Sequence, residues 1–149
     1  MNAMNNEVEY GARGTLGLLV PQANTTAEPE VQTMLAPDLA LLKDRLDDYL
    51  IHLETFIDTF SNAPLTGLGF LITGSTYHMN PDEEDQFFSR AGNARGYPIV
   101  SAGQSIRRAF KALGAKRIAL VSPYPDWLTA KSIAYWQRAG VEILGVESP

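Results

Sequence analysis

The chain has 149 residues, of which 45% are hydrophobic and 19% charged, and these proportions are typical of a soluble globular domain. The net charge of −5 and the lack of a long basic run argue against nucleic-acid binding. No segment approaches the roughly 20 consecutive apolar residues that cross a membrane. With no cysteine, the chain has no disulfide, thiolate metal ligand or cysteine nucleophile.

The start of the chain lacks the basic-then-apolar pattern of a secretory signal, so we expect a cytoplasmic protein. Its only histidines are His52 and His78, which are too few for a convincing zinc site. We therefore expect no metal.

The first half of the chain alternates apolar runs with helical patterns. Residues 1–13 are polar and without periodicity, which predicts a flexible tail. An apolar run from Leu16 to Val20 predicts a buried strand that leads into Asn24, Thr25 and Thr26, whose side chains can cap a helix or donate to a carboxylate. The pattern then predicts a helix over 29–35, a strand over 39–42 that could extend to 46, and a helix over 52–60.

The second half repeats this alternation. A strand over 68–72 is expected to end in a polar loop, Thr73 to Tyr77. Asn80 and Pro81 are typical of a helix start, and the acidic residues 82–85 suit the positive end of that helix. The remaining predicted elements are the helix over 81–89, a strand over 97–101, a helix over 103–113 ended by Gly114, a strand over 118–121, a helix over 127–138 and a strand over 141–146.

Strands and helices in alternation predict an α/β fold, with a parallel sheet covered by helices on both faces. Ligands of such sheets bind at the carboxyl ends of the strands. Three of these ends carry polar loops, at residues 24–26, 73–76 and 122–124. Their hydroxyls, amide, phenol and backbone donors suit a carboxylate or an enediolate, because several neutral donors can stabilise spread negative charge.

Each of these features also has a purely structural interpretation. Asn24 could be only a helix cap, residues 73–76 only a hydroxyl-rich turn, and Tyr124 a packed loop tyrosine between two prolines. His78 could point into a cleft or lie at the surface.

Two further groups are interpreted as structural. The aromatic residues of the last helix are assigned to packing, and a basic cluster is assigned to a solvated helix face. The aromatic residues are Trp127, Tyr135 and Trp136, and the basic ones are Arg107, Arg108, Lys111, Lys116 and Arg117.

Three segments together resemble a known family. Residues 20–30, 73–77 and 112–124 are similar to the aspartate/glutamate racemase superfamily, in its maleate isomerase and arylmalonate decarboxylase branch, and the resemblance covers nearly all of residues 14–149. It implies a flavodoxin-like doubly wound parallel sheet, a cofactor-independent isomerase, racemase or decarboxylase, and a small carboxylic acid as ligand. By this resemblance the residues that bind the substrate carboxylate are Asn24, Thr73, Gly74, Ser75 and Tyr124.

The chain also departs from the family pattern. Ile72 stands where racemases and maleate isomerases carry a cysteine and arylmalonate decarboxylases a glycine. Family members are longer and have two similar domains that face each other across a cleft. We therefore expect a first domain over 14–115, the opening strand, helix and strand of a second domain over 116–149, and a truncated product. Its last strand would be an exposed edge through which a homo-oligomer could form.

The resulting hypothesis is a maleate isomerase-like or arylmalonate decarboxylase-like protein that binds a small dicarboxylate and stabilises an enediolate, but is inactive alone for want of cysteine. The alternative is a non-catalytic flavodoxin-like module for carboxylate binding or assembly. A phosphate or nucleotide site is a weaker option, because the glycines form neither a dinucleotide fingerprint nor a phosphate loop.

Overall fold

A computed structural model of the protein describes residues 13–21, 26–35, 39–46, 52–60 and 62–148. Their contacts divide the chain into two compact units. The first unit is Met1–Ile72 with Ser89–Val100, and the second is Thr73–Phe88 with Ser101–Pro149. The predicted domain boundary between residues 115 and 116 stays a prediction.

The elements alternate between strand and helix, as expected. They are β1 (Gly14–Pro21), α1 (Ala27–Met34), β2 (Leu39–Leu46), α2 (Leu53–Asp58), β3 (Gly67–Phe70), α3 (Thr73–Thr76), α4 (Pro81–Arg95), β4 (Ile99–Ser101), α5 (Ala102–Leu113), β5 (Arg117–Val121), α6 (Asp126–Arg138) and β6 (Glu142–Glu147).

The first unit contains a four-stranded sheet with the order β2-β1-β3-β4. Strand β1 runs parallel to both neighbours, with Gly14 opposite Leu39 and Leu19 opposite Phe70. The order is that of a flavodoxin-like doubly wound sheet, in which the direction of winding reverses at β1 and β3. The central position of β1 explains its apolar sequence, because Leu19 and Val20 are completely buried.

The second unit contains a two-stranded parallel sheet of β5 and β6. Its core consists of Tyr77, Tyr135, Trp136 and Val141. Helix α5 begins with a capping box at Ser101 and ends, as predicted, at a glycine in the left-handed conformation, Gly114 with φ +65°. The parallel strands of the two units confirm the predicted α/β class.

Some predicted boundaries were wrong. The segment expected to be a loop after β3 begins with the helical turn α3, and β3 ends at Phe70 rather than residue 72. Helix α4 continues to Arg95, because its later turns are held by burial of Ala91. Trp127 is 58% exposed and so does not pack in the core, whereas Tyr135 and Trp136 do.

Among the residues that the structure describes, no helix combines the length and the apolar character needed to cross a membrane.

Candidate functional site

Strands β1 and β3 end side by side, since they are parallel neighbours with Leu19 opposite Phe70. The edge formed by such carboxyl ends, at the point where the winding reverses, is where doubly wound sheets bind ligands. Asn24 follows β1 and lies outside the described residues. Thr73 follows β3 and is the first residue of α3.

The structure brings together two of the predicted site residues, Thr73 and Tyr124. Thr73 Oγ1 lies 2.9 Å from Tyr124 Oη, although the residues are 51 positions apart, and either hydroxyl can donate. Both side chains are partly buried. Two neutral hydroxyls therefore meet in the second unit, one from the first residue of α3 and one from the segment that follows β5 in the sequence.

Gly74 and Ser75 belong to the same helical turn. A Cβ on Gly74 would lie 3.5 Å from Tyr124 Cε1 and 3.6 Å from Leu128 Cδ2, which is ordinary van der Waals contact. Ser75 is buried. The turn is closed by Thr76, whose hydroxyl donates to Thr73 O at 2.9 Å.

The backbone of Tyr124 is held in place by a hydrogen bond to its carbonyl oxygen and by its two neighbouring prolines. Thr129 Oγ1 donates to Tyr124 O at 3.1 Å and lies 2.6 Å from Ser122 Oγ. Since the single proton of Thr129 is used on Tyr124 O, the Ser122 hydroxyl is the donor to Thr129. Pro123 and Pro125 restrict the backbone on either side.

The ring of Tyr77 packs edge-on against Tyr124, with centroids 6.1 Å apart. Burial raises the pKa of the Tyr77 phenol, so it stays protonated throughout the neutral range. Ile72, at the expected cysteine position, is buried and apolar. It supplies packing and no polar group.

A buried polar cluster in the second unit was missed by the sequence analysis. Glu84 is fully buried and accepts hydrogen bonds from Ser101 Oγ at 2.5 Å, from Arg107 Nη2 at 3.0 Å and from Tyr135 Oη. Burial and the hydrogen bond with Glu84 raise the pKa of Tyr135, which therefore remains a donor. We call Glu84, Ser101, Arg107 and Tyr135 the buried cluster.

The buried cluster corrects one interpretation and extends another. Arg107 is not part of a solvated face, because its side chain is only 19% exposed and pairs with Glu84 and with Asp85 at 2.6 Å. Glu84 lies in the first turn of α4, as expected, but its side chain is also buried and hydrogen-bonded within the cluster. Its spacing with Phe88 and Ala91 was the available signal, since residues i, i+4 and i+7 share one helix face, and all three are buried.

His78 is exposed and does not join the hydroxyl pair in any described contact. Lys131 Nζ lies 2.9 Å from His78 Nδ1, and the Trp127 ring centroid is 6.0 Å from that of His78. Partial burial and the charge of Lys131 lower the pKa of His78. No group of three or more potential metal ligands occurs in the described part of the chain.

No protein-family profile matches the chain. It is similar to two curated maleate isomerases, at 25% identity over 154 residues to that of Geobacillus stearothermophilus and 26% over 151 residues to that of Pseudomonas putida. Each alignment covers 86% of this chain, and the chain spans about 60% of each relative's length.

Solved structures share the fold. A maleate cis-trans isomerase of Nocardia farcinica, which carries a covalently bound succinylcysteine intermediate, matches with a TM-score of 0.76 at 22% identity, covering 91% of this chain and 63% of that one. An arylmalonate decarboxylase matches with a TM-score of 0.77 at 19% identity, covering 91% and 64%. The chain is thus similar in sequence to maleate isomerases, and it shares its fold with solved structures of a maleate isomerase and an arylmalonate decarboxylase.

Proposed function

We propose that the chain binds a small dicarboxylate through the Thr73 and Tyr124 hydroxyls. The observation that carries this proposal is their 2.9 Å separation, which leaves both hydroxyls able to turn towards one shared acceptor. Each would donate one hydrogen bond to a carboxylate oxygen in place of the bond they now share. The relation to maleate isomerases supports a dicarboxylate as the ligand.

Gly74 and Ser75 are proposed to supply further donors from the turn that Thr73 begins. The role of Asn24, which lies outside the described residues, stays a prediction from the sequence. Neutral donors of this kind would also stabilise an enediolate, because they interact more strongly as negative charge develops on the substrate oxygens.

Binding is tested by titrating the purified chain with maleate, malonate and phenylmalonate in a calorimeter. We expect saturable binding, and Tyr124→Phe should weaken it by about 10- to 100-fold, as expected for one lost hydrogen bond to a charged group. Thr73→Ser, which keeps the hydroxyl, should bind more tightly than Thr73→Val. The matched control is Tyr97→Phe, which removes a phenol of the first unit and should leave affinity unchanged. Absence of binding by all three acids would refute the proposal.

We further propose that the 149-residue chain neither converts maleate to fumarate nor decarboxylates phenylmalonate. The Nocardia isomerase forms its intermediate on a cysteine, and this chain has none. Proton NMR of maleate incubated with the chain should show no fumarate, and phenylmalonate should stay intact. Turnover comparable to that of a maleate isomerase would contradict this.

Binding without turnover would favour the non-catalytic module. An assembly role is supported by the exposed apolar side chains of the β5–β6 sheet, where Val121 is 71% exposed and Leu144 55%.

A further inference from the structure

The buried cluster has no part in the proposed contacts with the ligand. A fully buried carboxylate is costly unless it is paired and hydrogen-bonded, and Glu84 meets this requirement with three donors. Moving any of these donors would leave a buried oxygen of Glu84 with one hydrogen bond fewer, which favours a single arrangement of the cluster.

Aromatic contacts join the buried cluster to the hydroxyl pair. The Tyr135 ring, whose hydroxyl donates to Glu84, packs against the Tyr77 ring with centroids 5.4 Å apart. The Tyr77 ring packs in turn against Tyr124 at 6.1 Å, and Tyr124 bonds Thr73. All these residues belong to the second unit.

Gly103 provides a second, independent connection. A Cβ at this position would lie 2.6 Å from Tyr135 Oη, 2.8 Å from Glu84 Oε1 and 3.1 Å from Thr76 Oγ1. The glycine thus lets α5 approach the cluster and the α3 turn at the same place. Thr76 in turn bonds the carbonyl of Thr73.

We propose that Glu84 and Tyr135 are positioning residues for the Thr73–Tyr124 hydroxyl pair. Glu84 fixes the Tyr135 phenol, Tyr135 fixes the Tyr77 ring, and Tyr77 sets the orientation of Tyr124. The expected effect on carboxylate binding rests on the proposed function. The positioning itself is a property of the free protein.

The test uses Tyr135→Phe, which removes the hydroxyl bonded to Glu84 and Arg107 and keeps the ring that packs on Tyr77. The chain is labelled with 3-fluorotyrosine, and the resonance of Tyr124 is assigned by its loss in Tyr124→Phe. We expect Tyr135→Phe to shift or broaden the Tyr124 resonance and to weaken maleate binding several-fold. A double-mutant cycle with Thr73→Val should show that the two losses of affinity are not additive.

The matched control is Gln137→Ala on the same helix, α6. The Gln137 side chain is exposed, so the Tyr124 resonance and the affinity should not change. Arg107→Lys is the second variant if Tyr135→Phe does not fold, because Arg107 is partly exposed and donates to Tyr135 Oη at 3.1 Å.

An unchanged Tyr124 resonance in the folded variant would overturn the inference. If the unmodified chain binds none of the three acids, the proposed function fails, and the fluorine resonance decides the positioning role alone.

Discussion

Of the described glycines of the second unit, Gly103 is the one at which an added Cβ would come nearest to other atoms. Alanine is favoured over glycine inside a helix by about 1 kcal/mol, so helix propensity alone would make Gly103→Ala stabilising. The new methyl group would instead lie 2.6 Å from Tyr135 Oη and 2.8 Å from Glu84 Oε1, far inside van der Waals contact. Neither group can withdraw, since both are buried and bonded to each other.

We therefore expect Gly103→Ala to lower the free energy of unfolding by about 1–3 kcal/mol, the usual cost of overpacking. Urea denaturation measures the change. Gly145→Ala is the control, because nothing lies within 4 Å of its added Cβ, and it should change stability by less than about 0.5 kcal/mol. Equal effects of the two substitutions would contradict the steric argument.

His78 shows how a neighbouring charge acts on a single group. Its pKa is lowered by partial burial and by Lys131, so the folded protein binds a proton at His78 less readily than the unfolded chain does. The stability linked to this group is present above the unfolded pKa of about 6.5 and is lost as the pH falls through the lower folded pKa.

Lys131→Met removes the charge and should raise the pKa of His78, though not to its unfolded value, because partial burial remains. An NMR titration of the His78 ring protons measures the shift. Lys116→Met removes a charge that does not contribute to the His78 shift and should leave the titration unchanged. A His78 pKa that is the same with and without Lys131 would show that the 2.9 Å contact is not formed in solution.

At the scale of the elements, helices α4 and α5 both begin with a capping box, but the two capping boxes lie in different surroundings. In α4, Glu83 N donates to Asn80 Oδ1 at 2.9 Å and Asn80 N donates to Glu83 Oε2 at 3.0 Å. In α5, Gln104 N donates to Ser101 Oγ at 2.9 Å and Ser101 N donates to Gln104 Oε1 at 3.1 Å. Only Ser101 also donates to the buried Glu84.

Asn80→Ala should thus cost about 1 kcal/mol of unfolding free energy, as for an ordinary cap. Ser101→Ala should cost about 1–3 kcal/mol more, because it also removes a donor from a buried carboxylate. Denaturation of both variants under the same conditions gives the comparison. If Ser101→Ala costs no more than Asn80→Ala, then the bond to Glu84 does not stabilise the fold.

The elements could be predicted from the sequence where the pattern is local. Apolar runs located β1 and β5, and Asn80 and Gly114 marked a helix start and a helix end. Thr73 to Thr76 was predicted as a loop because hydroxyl residues and glycine favour turns. It is helical because bonds to Thr73 O, from Tyr77 N and Thr76 Oγ1, close the turn.

The candidate site was predictable only in part, because its contacts join residues that are far apart in the sequence. Thr73 and Tyr124 were chosen as strand-end residues, and the structure shows them in contact. The hydrogen bond that Tyr135 donates to Glu84 joins residues 51 positions apart, and no local pattern encodes such a pairing. Acidic residues are seldom fully buried, so the residue type alone did not predict the burial of Glu84.

At the scale of the whole molecule, the β5–β6 sheet leaves apolar surface open to solvent. Val121, Leu144 and Val146 are 71%, 55% and 41% exposed. Within the part of the chain that the structure describes, β6 pairs with β5 alone. Parallel strands usually have both faces covered, and an open apolar strand edge favours pairing with another chain.

We therefore expect the chain to self-associate through β6 as its concentration rises, in line with the predicted homo-oligomer. Leu144→Lys places a charge on that strand and should shift the sedimentation coefficient towards that of the monomer, because an edge charge must be desolvated on pairing. Leu113→Lys makes the same change at the end of α5, where the leucine is 80% exposed but lies on no strand, and should leave association intact. Equal dissociation by both variants would indicate a general charge effect, and sedimentation as a monomer at every concentration would rule out association through the sheet.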